Sequence, residues 1–546
     1  MKTPNRAVVS AAVAWTAATA FPQPAIDIGE RLQVLWDDHV VETTQTTAER
    51  IVHRPEYDGT VMIHDRPWEG DGCIYHCFVP DRDGKGDLLR LYYTAGAIPS
   101  ASNDVRERFS ADGFRACYAE SRDGGRTWVK PELDLVDFRG SKKNNCIADK
   151  SSFGWDIENF FVFKDTRPGC PASERYKAVC QSGYEPVPDD WPALVPEQVG
   201  AQPWKVSVIG GKRHERNLWC MVSADGIRFR RGWLMTRLGA FDSLNVAFWD
   251  AVRGEYHLYF RAFHGMKPGV IGIRDVRHSV SKDFRTWSAP ERIGLVGVAE
   301  DFALYTNVIQ PYFREPSVFV GFPSRYVERT AWTANYDRLP APEKRRWRMS
   351  REHGGDSRFG TAVTDCVFIF SRDGRGFFLE DDAFMTPGPE SRDNWVYGDC
   401  YPAYPLLTAK SPLGGDDEIV IYSKSGHWSG LPSRLNRYRL RMDGFISRRA
   451  PYAGARTVTR PLVFSGSEMR VNFSTSARGW MRVTVRDTET GTRLRSVELF
   501  GDKVDRVVDF PEGKVSAFAG KTVVIEFDMA DADIYSFRFG KGGALP

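Results

Sequence analysis

The residues of this chain that could do chemistry are carboxylates, recurring one or two at a time ahead of five successive apolar segments. They are Glu69 and Asp71, Asp156 and Glu158, Asp242, Asp301 beside Glu300, and Asp399. Each stands just before a run that reads as a strand, so a fold gathering those strands about one axis gathers the carboxylates too. Two carboxyl groups across a pocket are what glycosidic cleavage requires. One protonates the leaving oxygen, and the other serves as nucleophile or base beside an oxocarbenium-like charge. Like-charge crowding would raise the pKa of one of them. Asn159, Asn245, Tyr305 and Asn307 sit on or beside the same strands and can hydrogen-bond sugar hydroxyls. Arg325, Trp332, His427 and Trp428 stand on or beside longer loops, where rings and guanidinium groups can stack on a sugar.

Other chemistries lack their residues. There is no Gly-x-Ser-x-Gly elbow and no His-Glu-x-x-His pair. Gly520-Lys521-Thr522 hints at a phosphate loop, but Val515 occupies the position where a glycine is needed. Cys73, His76 and Cys77 resemble metal ligands, yet on a strand positions four apart are separated by roughly 13 Å. No second Cys/His pair stands at ligand spacing, so these read as buried strand residues. Nine cysteines leave one unpaired if the rest bridge, and Cys170 and Cys180 could close a hairpin. No cofactor and no metal is assigned.

The positioning elements show themselves as a repeat. Ser121-Arg-Asp-Gly-Gly-Arg-Thr-Trp128 is followed by Ser223-Ala-Asp-Gly-Ile-Arg-Phe229, Ser281-Lys-Asp-Phe-Arg-Thr-Trp287, Ser371-Arg-Asp-Gly-Arg-Gly-Phe377 and the shorter Arg441-Met-Asp-Gly-Phe445. An Asp-Gly pair between strands is a hairpin signal, because glycine accepts a positive φ and aspartate bonds its own turn. Upstream of each copy lie two more strand-like runs. The inner ones are 72–79, 160–164, 245–249, 308–312 and 396–404; their partners are 88–95, 175–180, 255–263, 317–326 and 418–424. Strand, short turn, strand, variable loop, strand, Asp-Gly turn, strand: the unit occurs five times, and four-stranded units repeated radially make a propeller. The expected fold is all-β, a five-bladed β-propeller over 30–450.

Loop length then distinguishes the faces. Connections between second and third strands are long, near 96–113, 184–215, 264–274, 327–363 and 425–435, and open on one face. They and their flanks hold Trp191, Trp204, Trp332, Trp347 and Trp428 with Arg325, Arg329, His427 and Arg434. Long structured loops are usually functional, so this is the expected substrate face.

The Ser-x-Asp-x-Gly-x-Thr-Trp form at 121–128 resembles the Asp box of sialidases and other sugar-active propellers. Five blades followed by a β-sandwich resemble the clan of glycoside hydrolase families 32, 43 and 68, nearest to family 32. The resemblance implies a structural role for Asp123 and its equivalents. It also implies a nucleophile or base on blade one, a stabilising aspartate on blade two and an acid on blade three. Trp68-Glu69-Gly70-Asp71 fits blade one better than Trp36-Asp37-Asp38-His39, and on blade two Asp156 or Glu158 fits better than Asp165. The Trp-x-Asp-Pro-Asn-Gly and Arg-Asp-Pro boxes of family 32 are not intact. The expected function is a secreted glycoside hydrolase. A non-catalytic carbohydrate-binding propeller and a protein-binding scaffold are the alternatives.

Around 450–456, Pro451 and Gly454 mark a boundary. Alternating runs at 468–473, 481–486, 507–510, 523–527 and 535–539 then predict a β-sandwich over 455–546. At the other end, Lys2 and Arg6 precede the apolar stretch 7–20, which closes on Ala18-Thr19-Ala20. Residues 1–20 therefore read as a signal peptide, with the protein secreted or periplasmic. No later run is apolar enough to span a membrane.

Composition agrees with this division. Of 546 residues, 13% are aromatic, with 49 Gly and 32 Pro, which favours strands and turns. Lys+Arg 74 against Asp+Glu 71 leaves +3, so nothing points to nucleic acid, and an oligo- or polysaccharide is the expected partner.

Overall fold

The computed structural model describes residues 24–540 except 97–112, 268–269, 271, 299, 330, 352–357, 393 and 430. The expected signal peptide and most of the loop 96–113 lie outside the described residues. The chain divides into two compact units, Ile51–Ser447 and a second comprising residues up to Arg50 together with those from Arg448.

The first unit is a β-propeller whose strands form five larger sheets, mostly antiparallel, and two three-stranded ones. The first sheet runs Ile74–Asp83, Gly86–Ala95, Arg115–Ser121, Cys146–Ala148. The second runs Phe161–Lys164, Tyr176–Gln181, Leu218–Ser223, Arg230–Thr236, and the third Val246–Asp250, Glu255–His264, Ile273–Ser281, Glu291–Arg292. In the fourth, Gln310–Tyr312, Glu315–Gly321, Ile369–Ser371 and Gly376–Leu379 are joined at the edge by the parallel strand Gly294–Val296. The fifth begins Tyr401–Pro402, Asp417–Ser425, Arg434–Arg441. Its outer strand is Glu56–Ile63, from the start of the unit, and not the run after Asp443. That borrowed strand covers an edge that would otherwise expose unpaired backbone groups. Innermost strands of neighbouring sheets pack side by side: Phe161–Lys164 against both Ile74–Asp83 and Val246–Asp250, and Tyr401–Pro402 against Ile74–Asp83.

The repeat is a hydrogen-bonded turn. Ser121, Ser223, Ser281 and Ser371 each donate from Oγ to the aspartate two residues on, at 2.7, 2.9, 3.0 and 2.9 Å. Each aspartate Oδ1 also accepts two backbone N–H groups, Arg126 and Thr127 in the first copy, Ile227 and Arg228 in the second. Desolvation pushes the Asp123 carboxyl up, but the bonds from Thr127 and Ser121 outweigh it and hold it at about 2. Asp443 in the fifth copy instead accepts from Tyr312 Oη and Arg314.

Three expected elements differ in extent. The run 317–326 divides into Glu315–Gly321 and Ser324–Val327, since Pro323 cannot donate to the ladder. The loop 184–215 carries its own three-stranded sheet, Glu185–Pro186, Val206–Ile209 and Lys212–Glu215. Within 327–363 lie helices Pro342–Arg351 and Arg358–Thr361.

The second unit is built on two long strands, Glu468–Asp487 and Val523–Gly540, paired along their length. The polar stretch 474–479 does not end the first of them, as expected from sequence. The register slips between Thr475 and Trp480 and pairing resumes. Alternate residues, Met469, Val471, Phe473, Met481, Val483 and Val485 facing Val523, Ile525, Phe527 and Met529, make one apolar core. Residues 30–50, expected with the propeller, group with this unit, because Leu35, Val40, Val41 and Ala48 are buried in that core.

Candidate active site

Glu158 and Asp242 are carried by the segments leading into the inner strands of the second and third sheets. Between them lies a fixed link. Asn159 Nδ2 donates to the Phe241 carbonyl at 2.9 Å, and Asn159 Oδ1 accepts the Gln181 N–H at 2.9 Å. Asn245 Nδ2 reaches the same carbonyl at 2.9 Å. Phe241 is held at φ 67, left-handed backbone that turns the next residue, Asp242, away from the strand direction.

Glu158 is half-buried and electrostatically set apart. Desolvation and then the nearby Asp242 carboxylate push its carboxyl up to about 7; Arg216 and Arg261 pull against this and Asp156 adds to it. Asp242 forms a salt bridge with Arg261 Nη1 at 3.1 Å. The Arg261 guanidinium is itself buried, bonds the Tyr305 carbonyl through Nη2 at 2.6 Å, and lies 4.0 Å from the Tyr305 ring centroid. One carboxyl thus retains its proton near neutrality while its neighbour is matched to a fixed cation. This is the asymmetry an acid paired with a base or nucleophile needs.

Aromatic rings surround this pair. Tyr305 stacks on Tyr401 at 5.4 Å and meets Tyr397 edge-on at 5.4 Å. Tyr397 in turn contacts Trp428 at 5.1 Å, and His427 stacks on Trp428 at 4.0 Å. Tyr75 enters from the first sheet, at φ 57 in a bulge where the register skips from Ile74 to Cys77, and its hydroxyl senses Tyr305, Tyr397, Arg261 and Glu158. Trp428 packs over Gly72, where a Cβ would fall 2.8 Å from the indole nitrogen.

The other expected site residues have other surroundings. Asp156 is exposed beside Gly113, within electrostatic reach of Glu158. Asp71 is buried, and its carbonyl accepts the Trp428 N–H at 3.0 Å. Asp399 accepts the Val396 and Gly426 N–H groups at 3.0 and 3.2 Å, fixing two turns. Lys424, buried near Asp399, Cys73 and Asp71, has its amine pushed down to about 7 by desolvation. Glu69 is enclosed by partners: Lys130 Nζ at 2.8 Å, Tyr93 Oη at 2.6 Å and the Arg66 N–H at 2.8 Å. Asp301 is exposed and pairs with His264 Nε2 at 2.6 Å and Arg292 at 3.3 Å.

Among the expected sugar contacts, Asn159, Asn245 and Asn307 direct their amides into backbone. Asn307 Nδ2 lies 3.3 Å from both the Leu244 and Tyr259 carbonyls. Arg325 is paired with Asp365 at 2.6 Å, and Trp332 packs on Tyr336 and Arg346. Tyr305, His427 and Trp428 do join the ring cluster. Sequence reading missed Tyr75, Arg216, Arg261, Arg274, Tyr397, Tyr401 and Lys424. A signal existed for two of them: Arg261 and Lys424 are cations inside or ending runs otherwise apolar and aromatic. Among the described residues no group of three or more His, Cys, Asp or Glu is placed to hold a metal, and no helix is long and apolar enough to cross a membrane.

No family model and no curated protein matches this chain. Among solved structures 114 chains match. An N-acetylgalactosamine deacetylase from F. plautii, in complex with blood group B trisaccharide, is 12% identical, with 71% of this chain and 95% of that one covered at a TM-score of 0.39. The Bombyx mori GH32 beta-fructofuranosidase is 9% identical over 90% and 95% of the two chains, at 0.36. The exo-beta-1,3-galactanase of Phanerochaete chrysosporium is 10% identical over 90% and 99%, at 0.34. All three scores lie below 0.5, too loose a likeness to carry a function across.

Proposed function

We propose that this protein is a glycoside hydrolase and that Glu158 is its proton donor. The observation supporting this most directly is the Glu158–Asp242 pair, one carboxyl raised to about 7 and the other salt-bridged to Arg261. A donor with a pKa near the working pH is both protonated enough to give its proton and acidic enough to release it. In the reaction Glu158 protonates the glycosidic oxygen as the bond to the anomeric carbon breaks. The positive charge developing on the sugar ring is stabilised by the Asp242 carboxylate. Water then supplies a hydroxyl to the anomeric carbon, and its proton restores Glu158. The partly exposed Tyr305 ring, backed by the buried Trp428 and Tyr397, offers apolar surface for the sugar, the usual partner for its C–H face.

Release of reducing sugar from a panel of oligo- and polysaccharides tests this reading. Wild type is expected to cleave at least one of them. Glu158→Gln and Asp242→Asn should each lose about 100-fold to 10,000-fold in turnover per folded molecule. Glu158→Gln should keep its melting temperature, whereas Asp242→Asn, which leaves the buried Arg261 without its counter-charge, should lower it. Full activity in Glu158→Gln overturns the assignment.

A further inference from the structure

One group at this centre has a charge that nothing among the described residues answers. Arg274 opens the third strand of the third sheet, opposite Phe263. It is only 8% exposed, yet its guanidinium makes no hydrogen bond and no ion pair there, and its Nε is buried without a partner. Its contacts are rings: Tyr326 at 4.5 Å, Tyr305 at 5.4 Å and Phe263 at 5.7 Å. A cation this enclosed costs several kcal/mol if left unpaired, and a desolvated cation–π contact, worth about 2 kcal/mol or more, offsets this without supplying the hydrogen-bond acceptors a guanidinium takes.

Arg216 repeats the pattern. It is half-buried, its Nε has no partner, and its guanidinium lies over Tyr184 at 4.6 Å while within electrostatic reach of Glu158. Arg261, by contrast, is answered by Asp242. With Asp242 taken up by Arg261, the remaining carboxyls near this centre are Glu158, pushed up to about 7, and the exposed Asp156, and no described carboxylate is paired with Arg274.

Building on the glycan reading above, we propose that the sugar bound here is acidic, and that Arg274, with Arg216, recognises its anionic group. A planar guanidinium largely buried and held by rings matches a carboxylate or sulfate through two parallel N–H bonds. The ligand completes the pairing that the fold leaves open, and a neutral sugar does not. Arg274 is therefore a specificity-determining residue, separate from the proton-transferring pair.

Binding to the Glu158→Gln variant tests this without relying on turnover. The probes are matched disaccharides of one linkage in three forms, neutral hexoside, hexuronoside and sulfated hexoside, taken across the common hexoses. At least one acidic form is expected to bind ten times or more tighter than its neutral counterpart, and the two acidic arms decide between carboxylate and sulfate. Adding Arg274→Gln should bring that ratio to within about twofold, with Arg274→Lys retaining part of it. If Arg274→Gln does not fold, Arg216→Gln, which removes a less buried guanidinium, is expected to lower the same ratio.

Equal binding of neutral and acidic forms, a ratio unmoved by Arg274→Gln, or binding of none overturns the proposal. Wild-type turnover on the same probes separates the two readings. Acidic sugar bound but never cleaved leaves this proposal standing and removes the hydrolase. Cleavage of neutral and acidic glycosides alike does the reverse.

Discussion

Asn159 Nδ2 donates to the carbonyl of Phe241 at 2.9 Å, joining the residue after Glu158 to the residue before Asp242. The separation of the acid pair is thereby set by a buried amide crossing from the second sheet to the third. Removing that amide leaves the Gln181 N–H without its acceptor, a loss of about 1–3 kcal/mol. Asn159→Ala is expected to lower the unfolding free energy measured in urea by that amount and also to cut kcat more than KM, since a small displacement of catalytic groups weakens the transition state first. A stability loss with kcat unchanged would show that the link does not position the pair.

The raised Glu158 pKa gives a pH dependence whose sign is fixed. A proton donor acts in its acid form, so kcat/KM should fall as pH rises through about 7. Asp242 raises that value and Arg216 lowers it. Arg216→Gln should therefore move the alkaline limb upward, and Asp242→Asn should move it downward in whatever activity remains. Limbs that stay in place in both variants would mean another group is titrating.

Glu69 is expected to matter for folding more than for chemistry. Desolvation raises its carboxyl pKa and Lys130 opposes this, so the two form a buried pair with Tyr93 as a further donor. Glu69→Gln leaves the buried Lys130 ammonium with only the exposed Asp65 carboxylate, at 3.7 Å, for a counter-charge, at a cost of up to about 3–5 kcal/mol. The double variant Glu69→Gln/Lys130→Met should recover much of that, and both should keep turnover per folded molecule within a few-fold. A hundredfold loss of turnover at unchanged stability would return Glu69 to the reacting groups.

How much of this was visible beforehand depends on whether a residue's role is local or made by its neighbours. The Ser-x-Asp turns are local: serine, aspartate and the following N–H groups lie within seven residues, so the sequence pattern carries the geometry. The first three strands of each of the first three sheets are legible as apolar runs between turn formers, whereas the fourth strand of the first sheet, Cys146–Ala148, lies well beyond its Asp turn. The outer strand of the fifth sheet is not legible, because Glu56–Ile63 comes from far away in the chain. The asparagines show the limit most clearly. Asn159, Asn245 and Asn307 were found at the right places, but an amide beside a channel can face a sugar or a backbone carbonyl. Only the partner 82 residues away decides which for Asn159. Arg274 is the opposite case, invisible in sequence and defined by having no carboxylate paired with it among the described residues.

Lys424 provides a last check, on stability alone. Burial lowers its amine pKa to about 7, against the favourable effect of Asp399, Cys73 and Asp71 facing it. In the unfolded chain a lysine titrates near 10.4. Between those values the unfolded state binds more protons, so this residue makes the fold more stable as pH rises from about 7 towards 10. Lys205, buried and likewise lowered to about 7, adds a slope of the same sign. Lys424→Met should reduce the rise in unfolding free energy by up to about 1.4 kcal/mol per pH unit across that window, and should stabilise the protein at pH 7. Lys205→Met should act in the same direction, and the double variant should remove both contributions. Denaturant unfolding at pH 7, 8 and 9 measures the slope, and a slope identical to wild type in Lys424→Met would mean the amine stays charged in the folded protein.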